Sequence, residues 1–334
     1  MNELDSKIAK LESLQSEIPQ SELKNICTYI EKYRHTFPPE PAFIHFPIDT
    51  QFSVRLNNLS GEIDIFLDRE KPFGQGQIRI VMRSLQYNRE EIVAVKILQT
   101  KRPTSVERFL RDISNLQTFQ NEPGIASIYE FYQIKNEDYD HLEMVQRFYN
   151  QGSLHQCIKH KIPDAMPVIK QILTTIARIH QKGYLLQDFC PKNCLIDVSN
   201  HTEVGIGDLE MLVPIDSINP NNFDWHANKL YAPPEFWKYT LDLMSFADIP
   251  KQHWQKIDMW GVGCCLWTLL SDSPPPWIDV HIPDPVEMLE RTTLEITEPE
   301  DLNSLEHLLW EMLQEDPSQR IDSQQALKKL TLKN

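Results

Sequence analysis

The sequence predicts an α+β protein of two lobes, strand-rich then helical, with a cleft between them and a helical extension in front. Three observations predict it. Apolar and polar residues alternate with period two in short runs between Val54 and Phe148. Beyond Gly152 the pattern turns mostly helical with proline-rich interruptions, and residues 1–35 carry apolar side chains at helical spacing. A chain of 334 residues with 41% apolar content has enough material for both lobes.

In the extension, Leu4, Ile8, Leu11 and Leu14 form one stripe, Pro19 and Ser21 interrupt it, and Leu23, Ile26, Ile30 and Tyr33 resume it. This pattern predicts a helical hairpin or a long broken helix. Packing in cis on the main domain is the preferred fate, with docking of a partner protein through residues 1–35 as the alternative. Pro38-Pro39-Glu40-Pro41 is a stiff break. The expected division is an extension over 1–40, a first lobe and hinge over 41–149, and a second lobe over 150–334. Strands are expected at Val54–Leu56, Ile63–Leu67, Ile78–Val81, Ile92–Val95, Ile125–Tyr132 and His141–Phe148, with a helix over Val106–Phe119.

The net charge of −15 argues against a general nucleic-acid binder, because phosphate repulsion would have to be overcome locally. No apolar run approaches the roughly 18 residues that a membrane span needs. Met1-Asn2-Glu3-Leu4-Asp5 has neither the basic nor the apolar region of a secretory signal, although signals of specialised secretion would escape this test. Of the six cysteines, Cys264 and Cys265 sit in an apolar run, while Cys190 and Cys194 lack the second pair of a zinc site. A reducing cytosol is the expected compartment, including a host cytosol if the protein is delivered there.

Gly74-Gln75-Gly76, between strands, lets backbone amides approach a phosphate; a plain hairpin turn explains it equally well. Val93-Ala94-Val95-Lys96 ends an apolar strand with an ammonium that needs a phosphate, a carboxylate or solvent. Downstream, Asp188 and Asn193 lie five apart in a proline-containing loop, and Val204-Gly205-Ile206-Gly207-Asp208 supplies a second aspartate. Oxygen donors of this kind hold Mg²⁺ or Mn²⁺ on nucleotide phosphates, and an unliganded carboxylate orients a hydroxyl nucleophile.

These motifs together resemble the eukaryotic protein-kinase family over roughly residues 55–330. Gly74, Gly76 and Val81 match the phosphate-covering loop, and Ala94 and Lys96 the strand that carries the phosphate-binding lysine. Gln146 matches the gatekeeper and Phe148 the hinge, which with Leu195 would line the ATP site. Asp188 matches the catalytic base, and Asn193 and Asp208 match the metal ligands. Tyr231-Ala232-Pro233-Pro234-Glu235, the helix starting at Asp258, and Asp316-Pro317-Ser318-Gln319-Arg320 resemble structural motifs of the helical lobe, with Arg320 pairing Glu235 in the family. The resemblance implies a bilobal kinase-like fold, ATP with Mg²⁺ or Mn²⁺, and a protein substrate.

Several positions depart from the family. Arg79 replaces the third loop glycine. The glutamate that pairs the strand lysine aligns with Asp112, with Glu107 one helical turn away as the alternative and surface exposure as the bland outcome for either. The His-Arg pair before the catalytic Asp becomes Leu186-Gln187, which removes the family's reader of a phosphate on the activation segment. Cys190 stands where serine/threonine kinases place a phosphate-contacting lysine, and compensation by Lys192 is not expected. Asp-Phe-Gly becomes Asp208-Leu209-Glu210, with Leu186 and Leu209 able to keep an apolar spine. The expected function is a divergent kinase transferring the ATP γ-phosphate to Ser/Thr hydroxyls, not regulated by activation-segment phosphorylation. The alternative is a pseudokinase scaffold, and a third reading transfers another group, such as AMP.

Overall fold

The computed structural model describes residues 3–14, 20–33, 44–45, 52–56, 63–67, 74–75, 79–87, 89–98, 102–135, 140–158, 164–199, 201–278, 284–293 and 296–331. The Pro38–Pro41 break, Gly76 and the side chain of Arg79 lie outside the described residues. The chain divides into two compact units, Met1–Phe109 with Ser127–Phe148, and Leu110–Ala126 with Tyr149–Asn334.

The first unit opens with α1 (Glu3–Leu14) and α2 (Gln20–Tyr33). Ile8, Leu11, Leu23 and Cys27 are buried, so these apolar side chains of the two helices are covered within the chain. Polar contacts fasten the pair to the turn that follows the fifth strand. Lys10 bridges to Glu90 at 2.8 Å, Lys7 lies 3.8 Å over the Tyr87 ring, and the Tyr87 hydroxyl donates to Glu31 at 2.8 Å. The extension therefore packs in cis.

Strands β1 (Ile44–His45), β2 (Phe52–Leu56) and β3 (Ile63–Leu67) form one antiparallel sheet. Strands β4 (Gly74–Gln75), β5 (Arg79–Gln86), β6 (Glu91–Leu98), β7 (Ile128–Lys135) and β8 (Asp140–Arg147) form a second, in the order β4-β5-β6-β8-β7. Val93, Val95, Tyr132 and Val145 make the core on one face, with Ile97 and Tyr129 packed against them. Gly74 and Gln75 belong to a strand and not to a bare turn. Helix α3 (Pro103–Thr118) connects β6 to β7, and the stretch from Leu110 to Ala126 belongs to the second unit.

In the second unit, β9 (Gly152–Ser153) leads into a one-turn helix, α4 (Leu154–Cys157), closed by a capping box between Ser153 and Gln156. Helix α5 (Ala165–Gln181) starts at Asp164, whose carboxylate accepts from the Met166 amide. It buries Ile169, Ile172, Leu173, Ile176 and Ile179. Strand β10 (Tyr184–Leu185) pairs with β13 (Val213–Pro214), while β11 (Cys194–Asp197) lies between β12 (Glu203–Ile206) and β9. The remaining helices are α6 (Pro234–Thr240), α7 (Lys256–Ser271), α8 (Pro285–Thr292), α9 (Leu305–Met312) and α10 (Ser323–Thr331).

Helix α7 is apolar nearly all round and is buried from Ile257 to Leu266. Its Gly261 permits close approach of the loop after β10, because an added Cβ would stand 1.9 Å from the Phe189 carbonyl oxygen. All six cysteines are free and buried, and burial pushes the Cys264 and Cys265 thiols up, as core packing requires. No helix among the described residues is long and apolar enough to cross a membrane.

Candidate active site

The register of the five-stranded sheet gathers the candidate nucleotide residues of the first unit. Gly74 stands opposite Val81, Val81 opposite Lys96, and Ala94 opposite Gln146. Because directly paired residues share a face, Val81, Ala94, Lys96 and Gln146 lie on the face opposite the Val93–Val95–Val145 core. Val81, Ala94 and Lys96 are half-buried, as is Phe148 at the end of the unit. The Gln146 Nε2 is buried with no hydrogen-bond partner, a donor of the kind a bound ligand would satisfy.

The loop of the second unit that carries Asp188 is hung from Asp258. Its two carboxylate oxygens accept the amides of Leu186 and Gln187, each at 2.9 Å, and its Oδ2 also meets His180 Nε2 at 2.9 Å. His180 Nδ1 in turn contacts Ser323 Oγ at 2.9 Å, so α5, α7 and α10 all brace the loop. Gln187 has a φ of +69°, a conformation that costs free energy unless its surroundings fix it. The Asp258 bond to its own amide is one such fixing contact. Leu186 and Leu209 are both buried, so the apolar pair replaces the family's residues inside the core.

Five residues after Asp188, the Asn193 side chain donates to the Asp188 carbonyl at 2.8 Å, which leaves its amide oxygen available as an acceptor. The hairpin of β11 and β12 sets Asn193 beside the second aspartate. Cys194 pairs with Ile206, and the Gly207 amide donates to the Asn193 carbonyl at 2.9 Å. Asp208 follows with a φ of +58°, held there by a bond from the next amide, Leu209 N–H, to Asp112 Oδ1 at 2.7 Å. Asn115, one turn along α3, donates to the carbonyls of Leu209 and Leu212 at 2.7 and 3.3 Å.

Asp188 keeps part of its surface exposed, yet its Oδ1 is shut off from solvent and has no hydrogen-bond partner. Burial first, and then the charge of Asp208, push its carboxyl up to about 7, with Glu210 adding to the rise and the Asn228 backbone and Lys192 opposing it. A carboxylate poised near neutrality suits proton transfer. Asn193 and Asp208 present hard oxygen donors, the class Mg²⁺ takes. Among the described residues no group of three or more His, Cys, Asp or Glu side chains could hold a metal ion alone.

Asp112 is fully buried and Glu107 exposed, so surface exposure is excluded for Asp112, whose carboxylate secures the backbone after Asp208. Gln187 does more than leave a phosphate reader absent: its Nε2 donates to the Met211 carbonyl at 2.5 Å, and its Oε1 accepts from the His226 amide at 3.5 Å. Cys190 is fully buried with its thiol held well above the ordinary range, so it presents neither a charge nor a thiolate. Lys192 lies 6.0 Å over the Tyr231 ring. Leu195 is half-buried and packs beside Gly207, where an added Cβ would meet its Cδ1 at 3.4 Å. Glu235 and Arg320 form a buried bidentate pair at 2.7 and 3.0 Å. The roles of Asn115 and Gln187 escaped sequence reasoning, although the i, i+3 spacing of Asp112 and Asn115 signals one shared helix face.

A family model described as "Protein kinase domain" matches residues 67–331, and the chain belongs to that family. The chain is similar to a probable serine/threonine-protein kinase fhkD of Dictyostelium discoideum, 26% identical over 76% of this chain and 35% of the relative. It is also similar to calcium-dependent protein kinase 12 of Oryza sativa subsp. japonica, 26% identical over 80% of this chain and 48% of the relative. A third relative is serine/threonine-protein kinase cds1 of Schizosaccharomyces pombe, 24% identical over 77% and 56% respectively. The matched stretch spans between a third and somewhat over half the length of these relatives. Proteins of this family use ATP with Mg²⁺ and act on protein substrates.

Proposed function

We propose that this chain is an active protein kinase that transfers the γ-phosphate of ATP to Ser/Thr hydroxyls of a protein substrate. The observation that carries this reading is Asp188, a loop carboxylate with a free, buried oxygen and an affinity for protons near neutrality. Lys96, on the same sheet face as Ala94 and Gln146, would contact ATP phosphates, and Gly74, Gly76, Val81, Phe148 and Leu195 would complete the nucleotide contacts. Asn193 and Asp208 would hold Mg²⁺, or Mn²⁺ in its place. The metal would supply charge neutralisation on the phosphates when bound. Asp188 orients the acceptor hydroxyl and takes its proton. The protein operates in a reducing cytosol.

The experiment is γ-phosphate transfer to a mixed protein substrate with Mg²⁺ and with Mn²⁺. Wild type is expected to transfer, and Asp208→Ala to lose at least about a hundredfold in rate. Intact nucleotide binding without any wild-type transfer would favour a scaffold. The observation on that side is Cys190, which puts no cation where the family has one.

The activation segment is set without phosphorylation in this reading. Gln187 ties the catalytic loop to Met211 and His226 directly, the task the family leaves to an arginine and a phosphate. Phosphatase treatment should leave the rate unchanged within about twofold, while Gln187→Ala should lower it by about tenfold, the value of one or two buried hydrogen bonds. A large loss on phosphatase treatment would contradict direct tethering.

A further inference from the structure

The surroundings of Asp188 carry two cations that nothing in the catalytic arrangement uses. Lys192 sits four residues beyond Asp188, and its charge is among the influences that lower the Asp188 carboxyl. It does not turn into the core beside Cys190. Its ammonium stands 6.0 Å over the ring of Tyr231, and the Tyr231 hydroxyl meets His155 Nδ1 at 2.7 Å. The His155 amide donates to the Pro191 carbonyl at 3.1 Å, so helix α4, the catalytic loop and the end of the activation segment are joined at this point.

The second cation is Lys229. The Asn228 backbone lies against the Asp188 carboxyl, and Asn228 also organises the turn that follows. Its side-chain oxygen accepts from the Leu230 amide at 3.2 Å, and its carbonyl accepts from the Tyr231 amide at 2.8 Å. This turn leaves the Lys229 side chain exposed beside the residue that touches Asp188. Among the described residues, neither Lys192 nor Lys229 has a carboxylate within salt-bridge distance, whereas Lys182, Lys238, Lys251 and Lys329 each have one. The carboxylates that act on Asp188, Asp208 and Glu210, belong to the segment assigned to the metal side of the reaction. The other nearby acid, Asp224, is already bonded to His226 at 2.8 Å.

A chain of net charge −15 repels acidic ligands in general, so two unneutralised lysines flanking the base define a local exception. We infer that the acceptor is an acidic peptide segment, with Asp or Glu side chains next to the hydroxyl-bearing residue, and that Lys192 and Lys229 determine this specificity. The inference rests on the kinase reading for its assignment of the acceptor but is tested by binding, which needs no turnover. Lys192 and Lys229 would meet the flanking carboxylates, the Tyr231–His155 contact would hold the wall under Lys192, and Asp188 would receive the hydroxyl between them.

The test uses the full chain and two fluorescent peptides of equal length, a central Ser flanked by Asp and Glu or by Lys and Arg, with binding read by anisotropy. The acidic peptide should bind about tenfold tighter at low salt, with the margin shrinking as salt rises to physiological strength. Lys229→Glu, at an exposed position, should remove most of that margin, and the Lys192→Glu, Lys229→Glu double variant should invert it. Equal binding of the two peptides, or an unchanged margin in the double variant, overturns the inference. Phosphate transfer to the same peptides separates the two ideas. Acidic preference in binding without transfer sinks the kinase reading and leaves the surface standing, whereas transfer that favours the basic peptide sinks the acidic acceptor and leaves the kinase standing.

Discussion

Asp188→Asn is expected to abolish phosphate transfer while making the metal-free protein more stable at pH 8. The loss in rate should reach about a hundredfold to ten-thousandfold, the contribution of a positioned general base. The gain in stability follows from the environment of the carboxyl. Burial and the neighbouring Asp208 and Glu210 charges raise it from 3.8 to about 7 in the fold. Below about pH 4 the group is protonated in both folded and unfolded chains and has no effect on the balance. Between about pH 4 and 7 the unfolded chain gives up its proton while the folded chain keeps it, so stability falls as pH rises. Above pH 7 the folded protein carries the full penalty of a buried charge. After a discount for the part of Asp188 that meets solvent, that penalty is about 2–4 kcal/mol. Asn keeps the shape and removes the charge. Thermal unfolding of both proteins across pH 4–8 should show curves that coincide in acid and separate towards alkali, with the variant above. A variant less stable than wild type at pH 8 would contradict the burial of an uncompensated carboxylate.

Arg320→Ala should be the most destabilising single change in the second unit, at about 3–5 kcal/mol. Arg320 is wholly buried. Besides its two bonds to Glu235, it donates to the carbonyls of Gln314, Glu315 and Lys256 and stacks 5.3 Å from the Trp260 ring. Truncation leaves the Glu235 carboxylate buried without its partner and several carbonyls unsatisfied. Glu235 opens α6 directly after the activation segment, so loss of transfer should accompany loss of stability. Arg320→Lys should recover only part, because an ammonium cannot reproduce the planar two-pronged geometry. Urea unfolding checks both variants, and a cost below about 1 kcal/mol for Arg320→Ala would show that the pair is not an anchor.

The fold was legible wherever periodicity reflects burial. The alternation at Val93 and Val95 located β6, and the resemblance that begins at Asp258 located the buried helix α7. Side-chain to backbone contacts left no such trace. Asp112 aligned with a residue expected to meet a lysine, and its carboxylate also accepts from the Leu209 amide, a relation across 97 positions that no local pattern encodes. Gln187 read as a loss, because substitution of an arginine says nothing about which carbonyl the shorter side chain will reach. Cys190 read as a missing cation beside the phosphate, and its complete burial, which no local pattern encodes, comes only with the folded structure. The separation of Lys192 from that position depends on the placement of Tyr231, 39 residues later in the chain, which only the folded structure supplies.

The central claim, that a protected carboxylate in an intact kinase loop performs phosphate transfer, is tested most directly by the mass of the product. Wild type and Asp188→Asn would be incubated with ATP and Mg²⁺ and a protein substrate mixture, and the modified residues read by mass spectrometry, with nucleotide binding measured alongside. The expected result is a phosphate increment on Ser or Thr with wild type, and none with a variant that still binds nucleotide. An adenylyl increment, or nucleotide binding by wild type with no modified residue at all, would contradict it.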